Sequence, residues 1–224
     1  GNAAMMHYHA TPENHAELQR KGFLLVDSGA TYMDGTTDIT RTYPLGELTE
    51  DEKRFYTWTL QSHIDLAKAV WLDYCECKMI DTIAREPLWR HLINYRCGTG
   101  HSVSFVGNVH EGPHSLRGTN SVLMRPGMVV TDEPGVYETD LVGVRIENEL
   151  VCVHKADNQY GTFLGFEPLM FVPIATSPIL PGVLDRDEID WLNNYHRTVF
   201  TKLAPHLNDE ERVWLAEKCA AIGC

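Results

Sequence analysis

Several absences narrow the class of this 224-residue sequence before any motif is read. No apolar run approaches the ~20 residues that cross a bilayer, and the first residues lack the charged-then-apolar order of a signal peptide. A cytoplasmic protein without a membrane partner is the expectation. Basic residues are scarce, 19 Lys and Arg against 31 Asp and Glu, and the resulting charge of −12 repels phosphate backbones. Nucleic acid is therefore not an expected partner. The six cysteines (Cys75, Cys77, Cys97, Cys152, Cys219 and Cys224) lack the paired spacing of a zinc site or a disulfide scaffold, so reduced, structural thiols are expected. With one residue between them, Cys75 and Cys77 suit a turn or a strand face better than a redox helix. Repeats, low-complexity segments and linkers are also missing, and 43% hydrophobic residues suffice for one sizeable core.

The local signals alternate between strand and helix, which predicts an α/β or α+β domain. Phe23–Asp27 is short and apolar, Asp34-Gly35 favours a turn, and residues 36–42 are rich in β-branched side chains, so a hairpin is predicted that brings Asp27 near Asp38. Thr49 with Glu52 forms a capping box opening a helix expected to reach about Leu72. A second helix is expected from Met79 to Ile93, kinked or divided by Pro87. Gly98 and Gly100 release the chain toward a new strand. Between Met128 and Val153 two strands are expected, the second placing Arg145, Glu147 and Glu149 on one face. Asp185 with Glu188, and Asn208 with Glu211, mark two closing helices whose role is packing.

Five candidate ligands fall on strands or strand ends: Asp27, Asp38, His101, Glu133 and Glu147. Four carboxylates and an imidazole suit manganese, cobalt or zinc, whereas a single structural zinc would call for thiolates or more histidines. Clustered carboxylates repel one another in a low-dielectric pocket, and shared cations keep them ionised. Two ions are easier to justify than one, because a carboxylate can bridge a pair that activates water for attack on a carbonyl.

These residues stand in the segments Val26-Asp27-Ser28-Gly29, Asp34 to Thr42, Gly98-Thr99-Gly100-His101, Asn108-Val109-His110-Glu111-Gly112-Pro113, Thr131-Asp132-Glu133-Pro134-Gly135 and Val144-Arg145-Ile146-Glu147-Asn148. Together they resemble the pita-bread metallopeptidases, and within them the aminopeptidase P group. The likeness continues through Phe163–Leu169, Val172–Ile174 and Glu188–His196, so it covers nearly the whole chain. The resemblance implies a curved, mainly antiparallel sheet backed by helices and carrying two divalent ions, with manganese favoured. It implies that Asp27 binds one ion, that Asp38 and Glu147 bridge both, and that His101 and Glu133 complete the other. His110 would donate to the developing oxyanion, His7 would line the same cleft as a catalytic or substrate-binding residue, and Glu133 would shuttle the proton. Arg145 would orient a carboxylate ligand or meet substrate. The implied reaction removes the first residue of a peptide whose second residue is proline, and a homodimer is compatible with it. The remaining histidines, His9, His15, His63, His91, His114, His154, His196 and His206, match no motif and are read as surface or packing residues.

Three departures from the group's pattern stand out. Cys97 replaces a histidine usually found four residues before the metal-binding one, which alters an expected substrate contact. Ser102 and Ser104 occupy positions that are commonly glycine. The chain also reads as a catalytic domain, residues 1–224, without the group's amino-terminal domain or the domain's opening helices. The rivals are a prolidase, which shares the ligand set but cuts dipeptides, and a pita-bread module that binds peptides or histones after losing its metals. Creatine-hydrolysing relatives and methionine aminopeptidases fit the segments less well.

Overall fold

The ten strands among the described residues pair only antiparallel with one another, and two interruptions in those pairings decide where the functional groups collect. A computed structural model describes residues 4–223. In chain order it contains β1 (Phe23–Tyr32), β2 (Gly35–Pro44), α1 (Glu50–Ala67), β3 (Val70–Leu72), α2 (Cys77–Trp89), β4 (Gly100–Ser102) and β5 (Glu111–Leu116). There follow β6 (Val129–Asp132), β7 (Gly135–Glu138), β8 (Val142–Arg145), β9 (Asn148–Asn158), β10 (Gly161–Pro168), α3 (Arg186–Leu203) and α4 (Asp209–Lys218). Six strands form one sheet in the order β3-β10-β9-β6-β4-β5, while β1–β2 and β7–β8 form separate ribbons.

The first ribbon is the predicted hairpin, longer than its apolar run, with Tyr32 opposite Gly35 across a two-residue turn. Its register sets Asp27 against Thr40 and Gly29 against Asp38, so both aspartates occupy one face as diagonal neighbours. Gly29 is required by close approach, because a Cβ there would lie 2.1 Å from the Thr37 carbonyl oxygen. Gly100 meets the same limit, with a Cβ falling 1.7 Å from Thr131 O.

The helices begin where their caps predict. Thr49 with Glu52, Asp185 with Glu188 and Asn208 with Glu211 all form complete capping boxes at α1, α3 and α4. Their ends depart from expectation. α1 stops at Ala67 instead of reaching Leu72, because Val70–Leu72 pairs with Phe163–Gly165 as an edge of the sheet. α2 spans Cys77–Trp89, with Pro87 in its last turn, so the carbonyl bond that the missing N–H forgoes lies close to where the helix ends. Leu92, at φ 59°, then reverses the chain while Ile93 N–H returns to Leu88 O at 3.1 Å, so the helix does not extend to Ile93. Cys77 is fully buried at the start of α2 rather than in a turn or strand.

Two apolar clusters flank α1. Leu66 joins Trp71, Ile80, Val130, Leu150 and Leu164 beneath the sheet. Leu60 and Ile64 join Val144, Ile146, Ile189, Leu192 and Val199 against α3. Each fully buried Leu or Ile contributes roughly 1.5–3 kcal/mol, so α1 is anchored on both sides.

The two strands expected between Met128 and Val153 are each broken. The β6–β9 ladder ends at Asp132 opposite Asn148, and the β7–β8 ladder starts at Gly135 opposite Arg145. Between them lie Glu133-Pro134 on one side and Ile146-Glu147 on the other. Pro134 has no N–H with which to continue a ladder. The freed donors go elsewhere: Glu133 N–H to Thr99 O at 2.8 Å, and Glu147 N–H to Thr40 O at 3.1 Å. Those bonds draw the β1–β2 ribbon and the approach to β4 against the break.

Gly29→Ala should therefore strain the ribbon where Asp38 sits and destabilise the protein by roughly 1–3 kcal/mol, the scale of an overpacked site. Urea unfolding reads this as a lower midpoint, and an unchanged midpoint would show that the ribbon tolerates a methyl group there.

Candidate metal centre

Glu147, only 1% exposed, sits at the break between β8 and β9. Its Oε2 accepts a hydrogen bond from Thr40 Oγ1 at 2.5 Å, and its Oε1 is buried without any partner among the described residues. Burial pushes its carboxyl well up, Glu133 and Asp38 push further, and the Thr40 hydroxyl opposes them. Asp38 on β2 is raised to about 6, first by burial and then by Asp27 and Glu133, against the pull of His101 and Arg145.

His101 on β4 completes a cluster. One donor atom each from Asp38, His101 and Glu147 lies within 4.8 Å of the other two. His101 Nε2 is 3.1 Å from Glu133 Oε1 and 3.5 Å from Asp38 Oδ2. Its Nδ1 lies 3.2 Å from Ser102 O, a contact that holds the proton on Nδ1 and turns Nε2 toward the carboxylates. Burial would lower the imidazole's pKa, but Glu133, Ser102 O and Asp38 outweigh it and raise it.

Two threonines fix the glutamates. Thr131 Oγ1 accepts from His101 N–H at 2.9 Å and donates to Glu133 Oε1 at 2.9 Å. Thr40 Oγ1 accepts from Arg145 Nε at 3.0 Å while donating to Glu147. Arg145 also donates from Nη1 to Tyr137 OH at 2.8 Å and from Nη2 to Asp27 Oδ2 at 2.6 Å. Its side chain is 6% exposed and all three nitrogens are engaged, an arrangement that orients Asp27. The expectation that Arg145 and Glu147 share a strand face fails, because the strand breaks between them; they meet through Thr40 instead.

The structure thus brings Asp38, His101, Glu133 and Glu147 together, with Asp27 at the rim, 38% exposed and held by Arg145. His110 is exposed, its ring 4.1 Å from that of His101 and nearly perpendicular to it, and burial and then His101 hold its pKa down. His7, also exposed, lies 6.4 Å from His110 between ring centres. A cavity of about 910 Å³ opens beside them, lined by His7, Asp27 and Arg145 with apolar Leu24, Val26 and Leu45. Cys97 is half-buried, and burial followed by Glu133 raises its thiol.

Sequence reading missed Thr40, Thr131 and Tyr137. The first two have a signal, standing two residues from Asp38 and Glu133 on strands where alternate residues share a face. Tyr137 has none. It also passed over the buried groups behind the site, His63, Asp132 and Asn148, which are all 0% exposed. His63 matches no motif and reads as a surface or packing residue, yet both its ring nitrogens touch polar groups.

Residues 1–154 match the model of metallopeptidase family M24, and residues 162–222 match that of the C-terminal region of the M24 peptidases. Aminopeptidase P1 of Lotus japonicus is 41% identical over 99% of this chain and 34% of its own length. The solved X-prolyl aminopeptidase of Caenorhabditis elegans, described as a cytosolic enzyme with a di-nuclear active site, superposes with a TM-score of 0.93 at 36% identity, over 99% of this chain and 37% of that one. An Xaa-Pro dipeptidase from Bacillus anthracis superposes with a TM-score of 0.63 at 26% identity, over 77% of this chain and 44% of that one. The chain therefore spans about a third of the length of the curated relatives it matches. Its fold is the pita-bread arrangement expected from the sequence. By the match over most of its length and by its donor cluster, the chain belongs to metallopeptidase family M24.

Proposed function

We propose that this chain forms the catalytic part of a two-metal aminopeptidase that cleaves the first residue from peptides with proline in second position. The observation that carries the proposal is the cluster of Asp38, His101 and Glu147 at the strand break, with Glu133 in contact and Asp27 at the rim. The donor set fits divalent ions. Glu147 presents a buried carboxylate oxygen without a partner among the described residues, and burial followed by repulsion from neighbouring carboxylates raises Asp38 and Glu147, both of which bound cations would offset. In this reading Asp27 would hold one ion, His101 and Glu133 would hold the other, and Asp38 and Glu147 would be shared between them. The oxygen-rich set favours manganese over cobalt or zinc. Such ions supply Lewis acidity and lower the pKa of water at the site.

The chain's own groups divide the remaining work. Glu133, held at Oε1 by Thr131, accepts the proton of the attacking water and returns it to the leaving nitrogen. His110 stands at the open side of His101, exposed and unencumbered, and donates to the carbonyl oxygen as charge develops there. His7 lines the cavity on which Asp27 faces and contacts the peptide. Proline in second position offers no N–H, so recognition rests on shape and on the preceding residue. No helix among the described residues is long and apolar enough to cross a membrane. The cytosolic setting of the worm enzyme is proposed for this protein too.

Three outcomes follow. His110→Ala should leave metal content intact and lower kcat by roughly a hundredfold, the scale of losing one oxyanion donor; loss of metal would make His110 a ligand instead. In the whole protein an Xaa-Pro-Xaa tripeptide should be cleaved faster than an Xaa-Pro dipeptide. A dipeptide puts its carboxylate on the proline, and the basic residues at the site, Arg145 and Arg41, are engaged with protein groups. Dipeptide preference would make the enzyme a prolidase.

The third outcome concerns pH. Asp38, at about 6 in the folded metal-free protein against an ordinary 3.8, binds its proton more tightly folded than unfolded. The metal-free protein should therefore gain stability as pH falls through 6 toward 4. Metal affinity should fall over the same range, because protons compete for the same oxygens. Melting curves at pH 7.5 and 5.5, with and without manganese, read both signs; a metal-free protein less stable at pH 5.5 would contradict the account.

A further inference from the structure

The β6–β9 ladder ends on the pair Asp132–Asn148, and each of these residues is the chain neighbour of a site glutamate, Glu133 or Glu147. His63 of α1 touches both. Its Nδ1 lies 3.2 Å from Asp132 O and 3.1 Å from Asp132 Oδ2, and its Nε2 lies 3.3 Å from Asn148 Nδ2. The orientation of Asn148 is settled from its other side. Arg41 Nη2, which can only donate, approaches Asn148 Oδ1 at 2.8 Å, so Oδ1 accepts there and Nδ2 is the group facing His63. Asn148 Nδ2 must donate to His63 Nε2, and the imidazole proton is therefore on Nδ1, directed at Asp132. All three side chains are 0% exposed, and the His63 ring packs edge-on against Trp191 at 5.9 Å.

On these contacts we infer that His63 is a positioning residue for the metal centre, clamping the two strands at the last pair before the break and so setting the separation of Glu133 and Glu147. The inference rests on the metal-centre reading above. A helix residue that reads both strands fixes what the ladder itself no longer fixes, because no strand-to-strand bond joins Glu133 to Glu147. The clamp continues through Asn148 to Arg41, whose guanidinium also bonds Glu147 O and Val172 O, so the loop before α3 supports the same glutamate. Nothing in this arrangement requires His63 to touch substrate or metal.

The test uses the whole protein and manganese alone as the probe. His63→Phe keeps the ring and its packing on Trp191 but removes both polar contacts. It should weaken manganese affinity, measured calorimetrically on folded protein, about tenfold or more, the scale of losing a partner behind a ligand. His63→Gln keeps an amide able to reach one strand and should lose less, about threefold, the scale of one neutral hydrogen bond. Where the phenylalanine variant does not fold, the glutamine variant carries the test by itself. In activity assays kcat should fall with the affinity while KM stays within about twofold. A purely structural His63 would instead lower the melting temperature of the metal-free protein and leave manganese affinity unchanged in every folded variant, and that result overturns the inference. Wild-type protein that binds no manganese overturns the metal-centre reading and this inference with it; wild-type protein that binds two ions beside unaltered variants overturns this inference alone.

Discussion

Like-charge crowding is the constraint on which the rest of this structure depends. Asp38, Glu133 and Glu147 converge on His101, with Asp27 beside them, and the cations the chain itself offers are few. Arg145 is held by Asp27, Tyr137 and Thr40. The carboxyls respond as buried acids must, with Asp38 and Glu147 both displaced upward. A fold that keeps such a cluster carries an electrostatic penalty in the absence of external positive charge. Bound divalent ions reverse its sign, which makes metal binding and stability one equilibrium.

The backbone solution is to break two strands at the same level. A continuous ladder would set Glu133 directly opposite Glu147, two carboxylates side by side on one face, and use their N–H groups on each other's strands. The break frees those donors for Thr40 O and Thr99 O. One bond delivers the aspartate ribbon, and the other the turn that leads to His101. Close approach at Gly29 and Gly100 makes both contacts possible. Behind the site, α1 is held by apolar clusters on two sides and presents a polar group, His63, between them, at the level of the break.

Much of this is legible in the sequence, and what is not has physical reasons. The hairpin, the three capping boxes and the order of the five candidate ligands depend on short-range signals, namely turn residues, cap spacing and motif, and they are readable residue by residue. Of the two strand breaks, the one after Glu133 is marked by Pro134, but the one at Glu147 has no local signal. Val144 to Val153 alternates without interruption, and only the competing carbonyl of Thr40, a hundred residues earlier in the chain, diverts the Glu147 N–H. The overrun of α1 toward Leu72 has the same origin, since Val70–Leu72 becomes a strand through its partner β10. His63 matches no motif and is flanked by Leu60, Ile64 and Leu66 on its helix, so its role shows only when Asp132 and Asn148 are brought against it.

The metal-centre proposal has this cluster hold two cations shared by Asp38 and Glu147. Diffraction from crystals of the whole protein grown with manganese, with anomalous scattering recorded at the manganese edge, tests it most directly. The account predicts two anomalous peaks in the cluster, each within coordination distance of both Asp38 and Glu147. A single peak, or two peaks of which one touches neither of those carboxylates, would contradict it.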